Sequence, residues 1–195
     1  MPWLDSACLI CANSISVNQF VCGPCLTRTP HFDRTQALFR YEDPIRKMIT
    51  QLKFHEQLRF AYLCGNLLAQ KMQGSAKLPD VIIPVPLHKK RLRERGFNQA
   101  LEIGRHIQKQ LQIPLNYHSL IRHKATEPQS QLPAKQRDHN IKQAFHLKRT
   151  IPAQHIVLLD DVVTTGSTVN EIAHTLKKQQ NCFIEVWCIA KTRIG

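Results

Sequence analysis

Residues 156–168, IVLLDDVVTTGST, are the stretch that decides the fold of this chain. The first four residues are apolar and predict a buried β-strand, which delivers two aspartates to its carboxyl end. A turn around Gly166 follows, and after it an amphipathic helix is marked by the apolar residues Val169, Ile172, Ala173 and Leu176. A strand, a turn and a helix in this order are the repeating unit of an α/β fold.

The sequence on either side predicts more of the same sheet. Residues 81–86 and 184–190 are short apolar runs typical of buried strands, and a further strand is expected at residues 115–120. Residues 98–111 predict a helix that turns Leu101, Gly104, Ile107 and Leu111 inward and Gln99, Arg105 and Lys109 outward. We therefore expect an α/β class fold, a mostly parallel sheet with flanking helices, whose ligands bind at the carboxyl ends of the strands.

The sequence before this core divides into two parts. Residues 1–29 contain four cysteines and too few apolar residues for a hydrophobic core, which indicates a separate small module. Residues 30–75 predict two amphipathic helices. The first presents Ile45, Met48, Ile49 and Leu52, and the second, roughly at residues 56–73, presents Leu58, Tyr62, Leu63, Leu67 and Leu68.

Asp160 and Asp161 are adjacent acids at the end of the predicted central strand. Neighbouring carboxylates repel each other, so they are costly at this position unless hydroxyl groups or a cation accept them. The vicinal hydroxyls of a ribose, or a bridging Mg²⁺, meet that need. A purely structural strand that ends in a capped turn accounts for the apolar residues and for Gly166, but it does not account for the two acids.

The turn that follows the acids predicts an anion site. Gly166 frees the backbone, and the N–H groups at the start of the next helix point outward toward a phosphate. Thr168 and Glu171 fit the capping-box pattern, which would begin the helix here. The strand and its acids could instead be the Walker B element of an NTPase, but the sequence contains no G-x-x-x-x-G-K-[ST] to complete that site.

The four cysteines of the N-terminal module form two C-x-x-C pairs that ten residues separate: Cys8, Cys11, Cys22 and Cys25. This spacing is typical of a tetrahedral zinc site. The Cys-Gly-Pro-Cys pair, taken alone, could be a thioredoxin-like redox pair, although the core strand that such a pair needs is missing before it. We favour structural zinc, which could either stabilise the module alone or present a binding surface. Cys64, Cys182 and Cys188 are expected in the core.

The formal net charge of +13 is concentrated in two stretches. Residues 88–109, which begin with a basic loop predicted directly after the strand at 81–86, carry seven Lys/Arg and two Glu. Residues 122–149, which begin with a long predicted loop at 122–140, carry seven Lys/Arg, one Glu and one Asp. Basic stretches are often merely solvated, but these can neutralise a pyrophosphate. They carry more Lys/Arg than one pyrophosphate needs, and this excess favours contact with a second polyanion such as DNA. The predicted nucleic-acid contacts are Lys90, Arg91, Arg93, Arg95, Arg122, Lys124 and Arg137.

No apolar run is long enough to span a membrane, and the N-terminal residues do not form a signal peptide. We therefore expect the protein in the cytoplasm, where partner proteins could also hold it peripherally at the inner membrane. Paired cysteines in that compartment bind metal more often than they form disulfides.

Residues 156–168 combine an apolar strand with Asp-Asp, two residues, Thr-Thr-Gly, one residue and Thr. This pattern resembles the signature of type I phosphoribosyltransferases. The resemblance implies the type I phosphoribosyltransferase fold and a site for phosphoribosyl pyrophosphate (PRPP) with Mg²⁺. Asp160 and Asp161 would bind the ribose hydroxyls and could hold Mg²⁺. The 5′-phosphate would lie in the turn formed by Val163, Thr164, Thr165, Gly166, Ser167 and Thr168. The pyrophosphate would be held by the loop after the first core strand, which here contains Pro86, Leu87, Lys89, Lys90 and Arg91.

Further segments narrow the resemblance. These segments are PVPL at 84–87 with a basic run and RGFNQ at 95–99, the long loop with Gln131, Arg137 and Asn140, and the cysteine-rich N-terminus. Together they resemble the ComF (ComFC) family of competence proteins over nearly the whole chain. The resemblance implies uptake of transforming single-stranded DNA, and partners among other competence proteins such as a helicase or a recombination mediator. The predicted organisation is a four-cysteine zinc finger at 1–29, a helical linker or hood-like segment at 30–75 and a phosphoribosyltransferase-like domain at 76–195.

Three functions are open at this stage. The first is a competence protein that binds PRPP with Mg²⁺ and single-stranded DNA, without any need for turnover. The second is an active phosphoribosyltransferase of nucleotide metabolism, whose acceptor the sequence does not identify. The third is a PRPP-sensing regulator of duplex operators, for which no helix-turn-helix stands out. We favour the first.

Overall fold

The computed structural model describes residues 1–4, 6–16, 19–124 and 141–193. Gln131, Arg137 and Asn140 of the predicted long loop lie outside these ranges. The described helices are α1 (Gly23–Thr27), α2 (Ile45–Phe54), α3 (Arg59–Gln73), α4 (Lys89–Arg95), α5 (Gln99–Leu111) and α6 (Ser167–Lys177). The described strands are β1 (Arg34–Arg40), β2 (Val81–Pro84), β3 (Leu120–Arg122), β4 (Phe145–Leu147), β5 (His155–Val163) and β6 (Phe183–Lys191).

The main sheet has four strands in the order β1-β6-β5-β2, and every neighbouring pair is parallel. β5 lies in the middle, where Leu158 pairs with Val186 of β6 on one side and with Ile83 of β2 on the other. The predicted parallel sheet is therefore confirmed, and the strand that carries the two acids is a central one.

Helices cover both faces of this sheet, which explains why β5 begins as an unbroken apolar run. Ile156 and Leu158 pack in the cluster that contains the buried side of α6. Val157 and Leu159, which point the other way, pack in the cluster formed with α2, α3 and α5. All four side chains are fully buried, and each contributes about 1.5–3 kcal/mol relative to an exposed position.

β1 was not predicted, because residues 30–75 were expected to be helical. The segment does contain α2 and α3, but Arg34–Arg40 forms an edge strand of the main sheet beside β6. Its polar residues concealed it: Thr35 is buried, and its hydroxyl donates a hydrogen bond to the carbonyl of Ile10 at 2.6 Å. The N-terminal module thus satisfies polar groups that in the sequence look like those of a loop.

The exposed side of α3 was predicted wrongly. Leu68 is buried as expected, but Leu58, Tyr62 and Leu63 are 49%, 58% and 38% exposed. The buried side is instead made largely of small residues: Ala61, Cys64, Gly65, Leu68, Ala69 and Met72. A Cβ on Gly65 would lie 2.7 Å from the Cβ of His106, so these small residues let α3 approach α5 closely.

Two other elements differ from the prediction. The basic stretch after β2 is not a loop throughout, because Lys89–Arg95 forms α4 with the His88 imidazole capping it. In α5, Gln99 was expected to face outward, but it is 2% exposed and accepts a hydrogen bond from Arg95 Nη1 at 2.7 Å. Within the described ranges, no helix combines the length and the hydrophobicity that crossing a bilayer requires.

The strand expected at residues 115–120 is displaced toward β3. Leu115 makes one isolated parallel bridge with Ile82, while Leu120–Arg122 pairs antiparallel with β4 in a small second sheet. This pairing uses Phe145–Leu147, a partner 25 residues away whose apolar residues are too few to be recognised as a strand on their own.

Candidate functional site

A crevice forms at the carboxyl ends of β2 and β5, which are neighbours in the sheet. The chain after β5 continues into α6 on one face, and the chain after β2 continues through α4 into α5 on the opposite face. Two adjacent strands whose connections leave in opposite directions open a ligand crevice between them. The sequence-predicted phosphate turn and pyrophosphate segment therefore flank the same opening.

The two acids lie near the end of β5. Asp160 is partly exposed, whereas Asp161 is 6% exposed and forms an ion pair between its Oδ2 and Lys53 Nζ at 2.9 Å. The backbone N–H of Asp161 donates to Asp160 Oδ1 at 2.9 Å. Burial and the neighbouring Asp161 carboxylate raise the pKa of Asp160. The Asp161 carboxylate is thus already paired with Lys53, whereas the charge of Asp160 is poorly compensated. A cation or hydroxyl donors would stabilise the Asp160 carboxylate.

Lys53 is a site residue that sequence reasoning missed. It lies in the last turn of α2, more than 100 residues before Asp161 in the chain. Nothing in its local sequence distinguishes it from the other lysines, because only the packing of α2 against the sheet brings it to the acid.

The turn after the acids begins at Val163, the last residue of β5, and Gly166 adopts φ +82° at its end. Helix α6 starts at Ser167 with Gly166 as its N-cap, so the predicted capping box of Thr168 and Glu171 is wrong. Glu171 instead accepts a hydrogen bond from the N–H of Gln143 at 2.8 Å. The glycine conformation brings the first N–H groups of α6 to the turn, which is the arrangement expected for an anion site.

Hydroxyl groups surround this turn. Thr164, Thr165 and Thr168 are partly exposed, and the Oγ atoms of Thr165 and Ser167 lie 2.5 Å apart. The turn predicted from sequence is therefore a single contiguous structure, with side-chain and backbone donors at the same place.

Lys191, the last residue of β6, fixes the turn from behind and was also missed. It is 3% exposed, and its Nζ donates to the carbonyl of Thr164 at 2.6 Å and to that of Thr192 at 2.9 Å. Burial lowers the pKa of Lys191. A buried lysine with two carbonyl acceptors holds the first residue after β5 in a defined position.

Gly166→Ala is expected to lower the free energy of unfolding by about 1–2 kcal/mol, because a left-handed conformation strains any residue with a Cβ. The added Cβ would lie 3.7 Å from the Phe32 ring, an ordinary contact, so the cost is conformational. Urea unfolding measures it. Gly74→Ala is the matched control, since Gly74 has φ −81° and open space around its Cβ. Equal midpoints for the two variants would contradict the assignment of strain to this turn.

Cationic side chains act electrostatically on the two acids. Burial, and then the charge of Arg91, lower the pKa of both Arg95 and Arg122, while Asp161 acts on Arg95 and Asp160 acts on Arg122 in the opposite sense. Arg91 and Arg95 come from α4 and Arg122 from β3. An anion bound near Arg91 would relieve the repulsion that this guanidinium exerts on the other two.

The other predicted basic residues lie further out. Lys89, Lys90, Arg93 and Lys124 are exposed to solvent, and Pro86 and Leu87 are partly buried where they link β2 to α4. The predicted pyrophosphate segment is therefore the first part of a helix together with the link that precedes it.

The four N-terminal cysteines form one cluster, as predicted. Their Sγ atoms all lie within 4.8 Å of one another, and those of Cys11 and Cys22 are 3.5 Å apart. The N–H of Cys22 also donates to Cys8 Sγ at 3.3 Å. Tetrahedral zinc with thiolate ligands places its sulfurs about 3.8 Å apart, so this cluster is compatible with a structural metal such as zinc.

The cysteine module faces the turn across a cavity of about 500 Å³. Cys11 and Cys25 line one side, and Thr165, Gly166 and Lys191 line the other. The four-cysteine cluster and the predicted anion turn therefore line the same cavity.

Known proteins resemble this chain over most of its length. The phosphoribosyl transferase domain family matches residues 51–195. DNA utilization protein YhgH of Escherichia coli (strain K12) is 35% identical over 191 residues, which cover 95% of this chain and 84% of that protein. Competence protein F of Haemophilus influenzae is 35% identical and covers 94% of this chain and 84% of its own. Competence protein ComFC of Bacillus subtilis is 27% identical over 87% of this chain and 70% of its own. The chain therefore belongs to the ComF family of competence proteins, with a type I phosphoribosyltransferase fold behind an N-terminal four-cysteine module.

Proposed function

We propose that this protein is a competence protein of natural transformation, which binds PRPP with Mg²⁺ in the crevice of β5 and contacts incoming single-stranded DNA. The observation that carries the proposal is the arrangement of Asp160 and Asp161 between an anion turn and a group of arginines. The names of its relatives, competence protein F and DNA utilization protein YhgH, support the biological role.

The chemistry of PRPP fits each part of the crevice. The ribose hydroxyls would donate to Asp160 and Asp161, and the 5′-phosphate would accept from the N–H groups and hydroxyls of residues 163–168. The pyrophosphate would lie toward Arg91, Arg95 and Arg122, with Lys89 and Lys90 at the entrance. Mg²⁺ would neutralise charge between the pyrophosphate and the acids.

An active phosphoribosyltransferase is the second candidate. The same cations would stabilise the pyrophosphate as it leaves, and the acids would fix the ribose while an acceptor forms a bond to C1′ and loses its proton. The bond between C1′ and the pyrophosphate oxygen breaks in that step. The favouring observation is that cations and acids act on one another at the same crevice, so that the acids would hold the ribose while the cations stabilise the leaving pyrophosphate.

Zinc is the metal we propose for the four cysteines, in a structural role. None of the seven cysteines forms a disulfide. We propose the cytoplasm as the place of action. Partners among other competence proteins, a helicase or a recombination mediator, would receive the DNA.

Complementation in a naturally competent bacterium that lacks its own ComF protein tests the proposed function. Expression of this chain is expected to restore transformation, and Asp160→Asn with Asp161→Asn to reduce the frequency at least about tenfold, because the ribose and Mg²⁺ ligands lose their charge. Glu42→Gln with Asp43→Asn, two exposed acids in the turn before α2, is the control that changes the net charge equally. Full transformation by the double aspartate variant at an equal protein level would overturn the proposal.

A further inference from the structure

Exposed apolar side chains follow one another from the end of α2 along the first turn of α3. Phe54 is 66% exposed, Leu58 49% and Tyr62 58%. Leu58 and Tyr62 are one helical turn apart, since the N–H of Tyr62 donates to the carbonyl of Leu58, and they therefore share a face. We call these three residues the aromatic strip. Neighbouring exposed apolar side chains of this size indicate an interaction surface more often than chance.

Cations border the aromatic strip. The Arg95 guanidinium lies over the Phe54 ring at 5.3 Å from its centroid, and exposed Arg59 stands beside Leu58 at the start of α3. On the α5 side, the Tyr62 and His106 rings are nearly perpendicular to each other, with a centroid distance of 5.3 Å. Residues 89–105 of α4 and α5 carry six Lys/Arg and two Glu. A docking face for an apolar protein segment has no need of this excess of positive charge.

The aromatic strip begins at the edge of the acid pair. Lys53, the residue before Phe54, forms the ion pair with Asp161. Arg95, which covers the Phe54 ring, is close enough to Asp161 for the carboxylate to raise its pKa against the effect of burial. A polymer that lies on the strip would therefore reach the crevice at its Phe54 end.

We propose that the aromatic strip is a base-stacking surface for single-stranded nucleic acid, with bases on Phe54 and Tyr62 and phosphates on Arg59 and on the exposed cations of α4 and α5. The inference rests on the DNA-binding part of the proposed function and names the surface that carries it. Aromatic rings beside arginines are the combination that binds single strands with little sequence preference. Duplex DNA hides the faces of its bases, so the strip selects single strands.

Fluorescence anisotropy with a labelled oligothymidylate tests the surface on the zinc-loaded full chain. Phe54→Ala with Tyr62→Ala is expected to weaken binding about 10- to 100-fold, in line with the usual contribution of stacked bases. The slope of log affinity against log salt should stay the same, because no phosphate contact is removed. Leu78→Ala with Phe183→Ala, exposed apolar residues just before β2 and at the start of β6, is the control and should bind normally.

Further measurements separate the possible failures. Phe54→Trp is expected to keep the affinity and to lose tryptophan fluorescence when the oligonucleotide binds, which reports stacking directly.

Failure of the unaltered protein to bind the oligonucleotide would overturn both the proposed DNA contact and the strip. Normal binding by the unaltered protein and equally by Phe54→Ala with Tyr62→Ala would overturn the strip alone. Equal competition by a duplex of the same length would also overturn it. Unchanged thermal unfolding of the double variant shows that its loss of binding is not a loss of fold.

Discussion

Replacing Cys8 and Cys25 with serine is expected to abolish binding of the zinc that we propose for the four cysteines, and to unfold the N-terminal module. A serine hydroxyl does not replace a thiolate ligand, and structural zinc supplies about 10–16 kcal/mol of apparent binding free energy to modules of this kind. The buried apolar cluster of the module consists of three of its cysteines with Ile10, Ile15 and Val21 only partly buried against them. Among the described residues of the module, no hydrophobic core is present to replace the metal.

The loss should extend beyond the module. Thr35 of β1 donates hydrogen bonds to the module, from its backbone N–H to the carbonyl of Leu9 and from its hydroxyl to the carbonyl of Ile10. Unfolding residues 1–29 therefore exposes the edge of the main sheet at β1, and the thermal midpoint of the whole chain should fall. Metal analysis of the purified protein and limited proteolysis measure both effects. Cys182→Ser, which changes a thiol outside the cluster, is the control and should keep its zinc. An unaltered protein without zinc, or a double variant that retains it, would show that the cysteines do not hold this metal.

Asp160→Asn with Asp161→Asn is expected to weaken PRPP binding at least about 100-fold. Each charge-assisted hydrogen bond contributes about 1.5–3 kcal/mol, so loss of one at each acid multiplies into this range. Loss of the Mg²⁺ ligands adds to the effect. Isothermal titration of PRPP into each protein in the presence of Mg²⁺ measures the difference, and Glu42→Gln with Asp43→Asn should bind normally.

The pH dependence of stability, measured on Asp160→Asn alone, tests the raised pKa of Asp160. Burial and Asp161 raise the pKa of Asp160 above its ordinary value of 3.8, so the native state resists its ionisation. The free-energy cost of ionising Asp160 in the native state is absent below the ordinary pKa, and it grows as the pH rises toward the raised pKa. Asp160→Asn removes this cost. The free energy of unfolding of the variant should therefore increase relative to that of the unaltered protein as the pH rises. A gain that grows toward low pH would contradict the assigned shift.

The sequence was most informative where a residue's role depends on its own strand or turn. β5 could be predicted because a strand buried on both faces must be apolar, and the acids stand out at its end. The turn could be predicted because Gly166 supplies the left-handed conformation that it needs. The cysteine cluster could be predicted because the two pairs are close in the chain and share one chemistry.

The parts that escaped prediction depend on distant partners. β1 is polar because Thr35 bonds to the N-terminal module, and α3 buries its small residues because Gly65 packs on His106 of α5. A reading based on hydrophobicity assigns such residues to a loop or to an exposed face. Lys53 and Lys191 reach the site only through the packing of α2 and the length of β6, and no local pattern indicates either.

The central claim is that residues 156–168 form the floor of a PRPP site. Isothermal titration of the zinc-loaded full chain with PRPP, with and without Mg²⁺, tests it most directly. The account predicts saturable binding at one site per chain that requires Mg²⁺, is competed by pyrophosphate and is lost in Asp160→Asn with Asp161→Asn. Absence of binding to the folded, zinc-loaded protein, or binding that the double variant retains in full, would contradict it.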